Sequence, residues 1–144
     1  MRIIHVCVIA MTAAFLGSFA TLAAQKPVQK STVFEWAGLE AKTTAVGMRR
    51  DVMRAPTPTL DELEMHITTL AVGQVSHPPH RHPEEELLIV KEGTVETLQN
   101  GKASRLGPGS IIFHSSNDLH NIRNAGSIPA TYHVIQWKVS GTAK

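Results

Sequence analysis

The chain has 144 residues, which is enough for one domain with a hydrophobic core and too few for two domains of ordinary size. Its formal net charge is only +2, and acidic and basic residues are interspersed without a block of one sign. We therefore expect no nucleic-acid partner and no electrostatic attraction to an anionic membrane surface.

The first residues differ in composition from the rest of the chain. Arg2 supplies a short positive start, no formally charged residue occurs from Ile3 to Leu22, and Ala23 and Ala24 precede a polar stretch. This pattern is typical of a secretory signal peptide over residues 1–24, which predicts a periplasmic or secreted protein with no membrane association after cleavage. The alternative is an uncleaved anchor, since the apolar run is long enough to span a bilayer.

Cys7, the chain's single cysteine, lies inside this apolar run. We expect it to be removed with the signal peptide, which leaves a mature chain without cysteine. Such a chain forms no disulfide, and any metal ligands in it must be histidines and carboxylates.

Residues 25–59 form a lead-in to the main domain. Its start is polar and contains Pro27, and Val33 to Leu39 form a short apolar segment around Trp36. We expect the lead-in to pack on the main domain, with the apolar segment covering an edge or the mouth.

The remaining residues, 60–140, predict short strands separated by turns. Leu63, Met65 and Ile67 alternate with polar residues, which indicates a half-buried strand with His66 on its solvent side. Further strands and turns are predicted at Leu87 to Val90, Thr94 to Leu98, Asn100–Gly101, Gly107 to Gly109, Ser110 to Phe113 and Thr131 to Val139. These elements predict an all-β barrel or sandwich.

Seven of the eight histidines follow residue 60, and two of them have metal-ligand spacing. On an extended chain His80 and His82 project from the same face, because they are two residues apart. Glu86 follows beyond Pro83 at the start of the next apolar strand, where a turn brings it back over the two imidazoles. A third histidine is needed to complete such a site.

The spacing of these residues resembles the first motif of the cupin family. His80, His82, three intervening residues, Glu86, six further residues and Gly93 all match it, whereas the leading glycine, Gly73, is one position early.

The second cupin motif matches at Gly109, His120 and Asn124, and fifteen residues separate the two motifs. Ser115 and Asn117 occupy the positions of its proline and glycine. Asparagine tolerates the left-handed backbone conformation that a turn glycine provides, so Asn117 is a plausible substitute.

The resemblance covers about Leu60 to Val139 and implies a single-domain cupin, a jelly-roll β-barrel. Carried over by position, it implies that His80, His82, Glu86 and His120 bind one divalent transition metal, Fe, Mn, Ni, Cu or Zn. In a six-coordinate ion these ligands leave two open positions, as catalysis requires. The alternative is a barrel that keeps the four residues as hydrogen-bonded polar groups without a metal.

The other histidines are weaker candidates. His133 shares strand parity with Ile135 and Trp137, so we expect it either to point into the barrel and act on a substrate or to pack in the core. We expect His114 to line the pocket mouth, and His77 to lie at the surface or beside the ligands.

The resemblance implies several functions. The first is an oxidoreductase, a dioxygenase-like enzyme acting on a small oxygen-rich or phenolic molecule, with Glu86 accepting a proton and His133 as a second catalytic residue. The alternatives are a non-catalytic periplasmic module that binds a small molecule or a metal, and a metal-dependent isomerase or lyase. Because Leu87 to Val90 is apolar on both faces, we also expect a homodimer.

Overall fold

The computed structural model describes residues 26–139, which contain nine strands and one short 3-10 turn at Trp36–Gly38. The strands are β1 Lys42–Thr44, β2 Gly47–Ala55, β3 Glu62–Leu70, β4 Glu85–Glu92, β5 Val95–Gln99, β6 Lys102–Leu106, β7 Ile111–His114, β8 His120–Asn124 and β9 Ala130–Lys138. Within these residues no helix is long and apolar enough to cross a bilayer. The predicted signal peptide with Cys7, and residue 140, lie outside the described residues.

The strands form two antiparallel sheets, of six strands in the order β1-β2-β3-β9-β4-β7 and of three strands in the order β6-β5-β8. Two isolated bridges, Val75 with Arg123 and His80 with His120, connect the segment between β3 and β4 to β8. Nine buried residues form the core: Leu70, Leu88, Val90, Val95, Ile112, Ile122, Ala130, Tyr132 and Val134. The all-β jelly-roll prediction is confirmed.

The turns have the conformations that their residues favour. Asn100 and Gly101, with φ of +47° and +85°, connect β5 to β6 as the hairpin signal predicts. Asn117 has φ +60°, which confirms it as the left-handed turn residue in the second motif. Gly93 has φ +78°, and a Cβ there would lie 2.7 Å from the Ala130 Cα, so both backbone and space require glycine.

The face of β3 that points into the barrel is the polar one, opposite to the sequence prediction. Glu64 and His66 are 8% and 9% exposed and line the internal cavity. Leu63 and Met65, which lie on the other face of the strand, are half-buried. The predicted solvent position of His66 is therefore wrong, because the barrel encloses a polar cavity and the large sheet carries apolar side chains on its outer face.

The lead-in contributes two strands to the large sheet. β2 pairs with β3 from Gly47–Leu70 to Ala55–Leu63, with a register shift between Asp51 and Met53. The predicted boundary at residue 60 therefore falls between two paired strands. Charged residues in β2 hide its alternation in the sequence.

The Trp36 segment lies over the outer face of the large sheet and not over the barrel mouth. Trp36 shares a surface depression with Ile67 of β3. Its ring contacts two cations, with the Lys91 ammonium 3.4 Å and the Arg50 guanidinium 4.8 Å from the ring centroid. These contacts anchor the segment to β2 and β4.

Candidate metal centre

Three segments of the chain bring the four predicted ligands together. His80 and His82 lie before β4, Glu86 lies in β4 and His120 begins β8. His80 and His120 pair through their backbones, with N–O distances of 3.0 and 3.1 Å. One donor atom from each of the three histidines lies within 4.8 Å of the others. Glu86 lies beside them, since its Oε2 is 3.8 Å from His82 Nε2, and with His114 and His120 it forms a second group of donor atoms within 4.8 Å of one another.

Backbone carbonyls fix the tautomers of two of these imidazoles. His82 Nδ1–H donates to the Glu84 carbonyl at 2.9 Å, and His120 Nδ1–H donates to the Asp118 carbonyl at 2.8 Å. A carbonyl oxygen only accepts, so the hydrogen must be on Nδ1. Each neutral ring therefore presents a lone pair at Nε2, as metal-binding histidines do.

Two buried nitrogens in this cluster have no hydrogen-bond partner among the described residues, His80 Nδ1 and His120 Nε2. Leaving a buried polar atom unsatisfied costs about 1–3 kcal/mol. A metal ion bound by these residues would satisfy such an atom. Three imidazoles and one carboxylate are also a donor set that suits divalent transition metals, so the residues fit the metal that the motif implies.

The protonation states of the cluster suit metal binding. Burial lowers the pKa of His120, and burial together with the neighbouring His77 and His82 lowers the pKa of His80. Burial by itself would raise the pKa of Glu86, but hydrogen bonds from His114 and Gln136 outweigh it and the pKa is lowered. Neutral imidazoles and an ionised carboxylate are the forms that bind a metal.

His114 is a part of the site that the sequence analysis placed wrongly at the mouth. It is 1% exposed and stacks on His120, with ring centroids 4.1 Å apart. Its Nδ1 lies 3.1 Å from Glu86 Oε1, and its Nε2 lies 3.1 Å from Thr97 Oγ1. Since both nitrogens are engaged, His114 orients Glu86 and supports His120. The signal was its alternation with buried Ile112 on β7.

Gln136 is a second residue that the sequence analysis missed. Its Nε2 donates to Glu86 Oε2 at 2.5 Å. In the sheet register Gln136 stands between Glu64 on β3 and Glu86 on β4, and Glu86 stands opposite His114 on β7. Directly opposed side chains on one face lie about 5 Å apart at Cβ. This row therefore connects β3 to the cluster of predicted metal ligands, His80, His82, Glu86 and His120, which we call the metal cluster.

His133 does not reach the site. Tyr132, Val134 and Gln136 line the internal cavity, and His133 lies between them on the outer face, paired in register with Ile67 and Ile89. The expectation that His133 points into the barrel is wrong. Ile135 and Trp137, the apolar residues that share its parity, also lie on the outer face of the sheet.

A cavity of about 390 Å³ opens onto the site. His80 and Glu86 line it from the metal cluster, and Glu64 and His66 line it from β3. His77 also lines it, with its ring centroid 3.9 Å from that of His80. This volume is large enough for a small organic molecule.

Comparison with known families identifies the domain. The family model for the cupin domain matches residues 66–136. Similar solved structures are an RmlC-like cupin from Shewanella frigidimarina, with a TM-score of 0.64 and 14% identity over 78% of this chain and 96% of that one, and KdgF from Halomonas sp., with a TM-score of 0.63 and 17% identity over 79% and 100%. At these identities the structures establish the fold alone.

A curated protein of similar sequence is the dimethylsulfoniopropionate lyase DddQ of Ruegeria pomeroyi. The two are 36% identical over 64 residues, which are 44% of this chain and 31% of that protein. The chain thus spans about a third of the length of this relative.

Proposed function

The chain belongs to the cupin superfamily, and from this premise we propose that it is a metal-dependent lyase that acts on a small carboxylate. The observation that carries the proposal is the pair of unpartnered imidazole nitrogens, His80 Nδ1 and His120 Nε2, beside the ionised Glu86 at the wall of a cavity. The similarity to a dimethylsulfoniopropionate lyase supports a lyase over the other cupin reactions. It also supplies the first substrate to test.

His80, His82, His120 and Glu86 would hold the metal. When bound, a divalent metal supplies Lewis acidity, which draws electron density from a substrate carboxylate and acidifies the adjacent C–H bond. His114 and Gln136 keep the two Glu86 oxygens in place through their hydrogen bonds, so the carboxylate keeps one orientation during turnover.

The test is elimination from dimethylsulfoniopropionate under anaerobic conditions. The full chain, loaded separately with Fe²⁺, Mn²⁺, Ni²⁺, Cu²⁺ and Zn²⁺, should release dimethyl sulfide, measured in the headspace, and acrylate, measured by proton NMR. His120→Ala should abolish release. His133→Ala, a histidine on the outer face, is the matched control and should retain it.

If the chain is instead a dioxygenase, as the sequence analysis also considered, turnover should require O₂. Turnover that requires O₂, with a phenolic molecule as substrate, would replace the lyase by an oxygenase. Metal binding without turnover in either atmosphere would favour the non-catalytic binding module.

The homodimer also stays a proposal, and the outer face of the large sheet is where we place it. Ile111 and Phe113 on β7 are 64% and 47% exposed, and Phe113 stacks on Trp137 with ring centroids 6.4 Å apart. An apolar face of this kind favours pairing with a second copy. Phe113→Glu should convert a dimer to a monomer in analytical ultracentrifugation, and a monomeric wild-type chain would contradict the proposal.

A further inference from the structure

A second carboxylate–imidazole pair lines the same cavity as the metal cluster. His66 Nδ1 lies 2.7 Å from Glu64 Oε1, and both residues are at least nine-tenths buried on the inner face of β3. They line the same cavity as His80 and Glu86. The metal cluster does not use them.

Glu64 is held in the ionised state by its neighbours. Burial by itself would raise its pKa, but the hydrogen bond with His66 and the charge of Arg49 outweigh burial and lower the pKa. Arg49 Nη2 donates to Glu64 Oε1 at 2.7 Å. Since an ionised carboxylate only accepts, the shared hydrogen belongs to His66 Nδ1. A neutral His66 therefore presents a lone pair at Nε2, and no described residue bonds to this atom.

A chain of alternating charges supports the pair from the surface. Arg49 Nε donates to Asp51 Oδ1 at 2.6 Å, and Lys42 Nζ donates to Asp51 Oδ2 at 2.9 Å. With Glu64 and His66 the series runs from β1 through β2 to β3. It fixes the position of Arg49 and through it the orientation of the Glu64 carboxylate.

Two other groups on the cavity wall, Tyr132 and Glu86, are less suited to accept a proton. Burial raises the pKa of Tyr132, so its hydroxyl stays protonated. Glu86 accepts hydrogen bonds from His114 and Gln136 and belongs to the metal cluster. An imidazole whose Nδ1–H is held by a carboxylate, as His66 is by Glu64, is a common general base.

We propose that His66 is the proton acceptor for a carboxylate substrate bound at the metal cluster, and that Glu64 and Arg49 position it. This assignment rests on the proposed lyase function. His66 Nε2 takes the proton from C2 of the substrate, the C–H electron pair becomes the C2–C3 double bond, and the leaving group departs from C3 with its bonding pair. For a dimethylsulfonio group the products are dimethyl sulfide, acrylate and an imidazolium paired with Glu64.

The experiment compares His66→Gln with the control His133→Gln. His133 lies on the outer face of the neighbouring strand β9. With dimethylsulfoniopropionate as the probe, His66→Gln should lower kcat by about 10²- to 10⁴-fold with metal content and melting temperature retained. Exchange of C2–H with solvent deuterium, followed by proton NMR, should fall in parallel. His133→Gln should stay within about 3-fold of the wild type, a small change on the scale of general-base catalysis.

Glu64→Gln tests positioning by a spectroscopic readout. In the ¹⁵N NMR spectrum of the wild type at neutral pH, His66 should carry its proton on Nδ1, and in Glu64→Gln this preference should weaken. A wild-type His66 protonated on Nε2 alone would overturn the proposal whatever the substrate.

The two proposals fail differently. If the wild type is active and His66→Gln keeps both cleavage and C2 exchange, His66 is not the proton acceptor and the lyase function stands. If the wild-type chain binds metal but neither cleaves the probe nor exchanges its C2–H, the lyase function fails and the assignment of His66 fails with it.

Discussion

The two carboxylate–imidazole clusters in the cavity differ in how their hydrogen-bonding groups are satisfied. In the metal cluster, His80 Nδ1 and His120 Nε2 are buried without partners. The second cluster consists of Glu64 and His66 on β3 with Arg49, and we call it the β3 cluster. In it, Glu64 accepts hydrogen bonds from both His66 and Arg49. Residues of the same chemistry are therefore arranged for different tasks. The unpartnered nitrogens of the metal cluster are suited to bind a ligand, whereas the bonds to Glu64 hold its carboxylate in one orientation and leave His66 Nε2 without a partner among the described residues.

The largest expected effect is the stabilisation of the folded chain by a metal ion bound to the metal cluster. Metal at 100 times its Kd adds about 2.7 kcal/mol to the free energy of unfolding, or about 10 °C in Tm for a domain of this size. His82→Ala should remove most of this shift, because it deletes one donor. Differential scanning fluorimetry measures it, with His133→Ala as the control that keeps the full shift. An equal shift in both variants would place the metal elsewhere.

A smaller loss of metal affinity is expected from His114→Phe. This change keeps a ring against His120 but removes the hydrogen bonds to Glu86 and Thr97, so the carboxylate is no longer fixed. Groups that orient metal ligands typically contribute about 10- to 100-fold to metal affinity. Competition against a chromophoric chelator measures the loss. His133→Phe, the same change on the outer face, should leave the affinity unaltered, and an equal loss there would show that the effect is not one of ligand orientation.

In the second cluster, Arg49→Gln should destabilise the fold independently of metal. The change leaves the buried Glu64 carboxylate with one charged partner fewer. Because the Arg49 side chain is 38% exposed, we expect about 1–2 kcal/mol and not the full cost of breaking a buried pair.

Arg54→Gln on the same strand is the control for Arg49→Gln. Arg54 pairs with Glu62 at the surface and is 64% exposed, so its loss should cost about 0.5 kcal/mol or less. Urea denaturation of the metal-free chains compares the two variants. Equal costs would mean that Glu64 does not depend on Arg49.

The smallest expected effect is the contribution of Glu64 to the pH dependence of the unfolding free energy. Its pKa is lowered in the folded chain, so its ionised form contributes stability above the usual pKa of 4.5, and this contribution is lost as the pH falls through the folded pKa. Glu64→Gln lacks the contribution. The difference in unfolding free energy between wild type and variant should be constant above about pH 5.5 and shrink below it. A difference that grows on acidification would contradict the lowered pKa.

The sequence was sufficient for the metal cluster because its residues lie close together or in a recognisable register. His80, His82 and Glu86 occur within seven positions, and His120 keeps its place in the second motif although Asn117 replaces a glycine. The strands and the hairpin at Asn100 were also predictable from alternation and turn residues. Local signals specify these features.

The β3 cluster was not predictable in the same way, because alternation shows that a strand has two faces but not which face is inside. Leu63 and Met65 indicated an apolar interior, yet the polar residues of β3 face the cavity. The same inversion misplaced His133. The choice of face depends on the cavity and on β2 and β9, which are paired to β3 and distant in sequence.

The most direct measurement of the central claim is the metal content of the full-length chain. The chain is loaded anaerobically with Fe²⁺, Mn²⁺ or Zn²⁺, and excess ion is removed. Elemental mass spectrometry should then find about one metal ion per wild-type chain, because a single site of three histidines and one carboxylate holds one ion. The double variant His80→Ala, His120→Ala should hold almost none, and His66→Gln should hold as much as the wild type. Equal metal in the wild type and the double variant, or none in either, would contradict a metal site at His80, His82, Glu86 and His120.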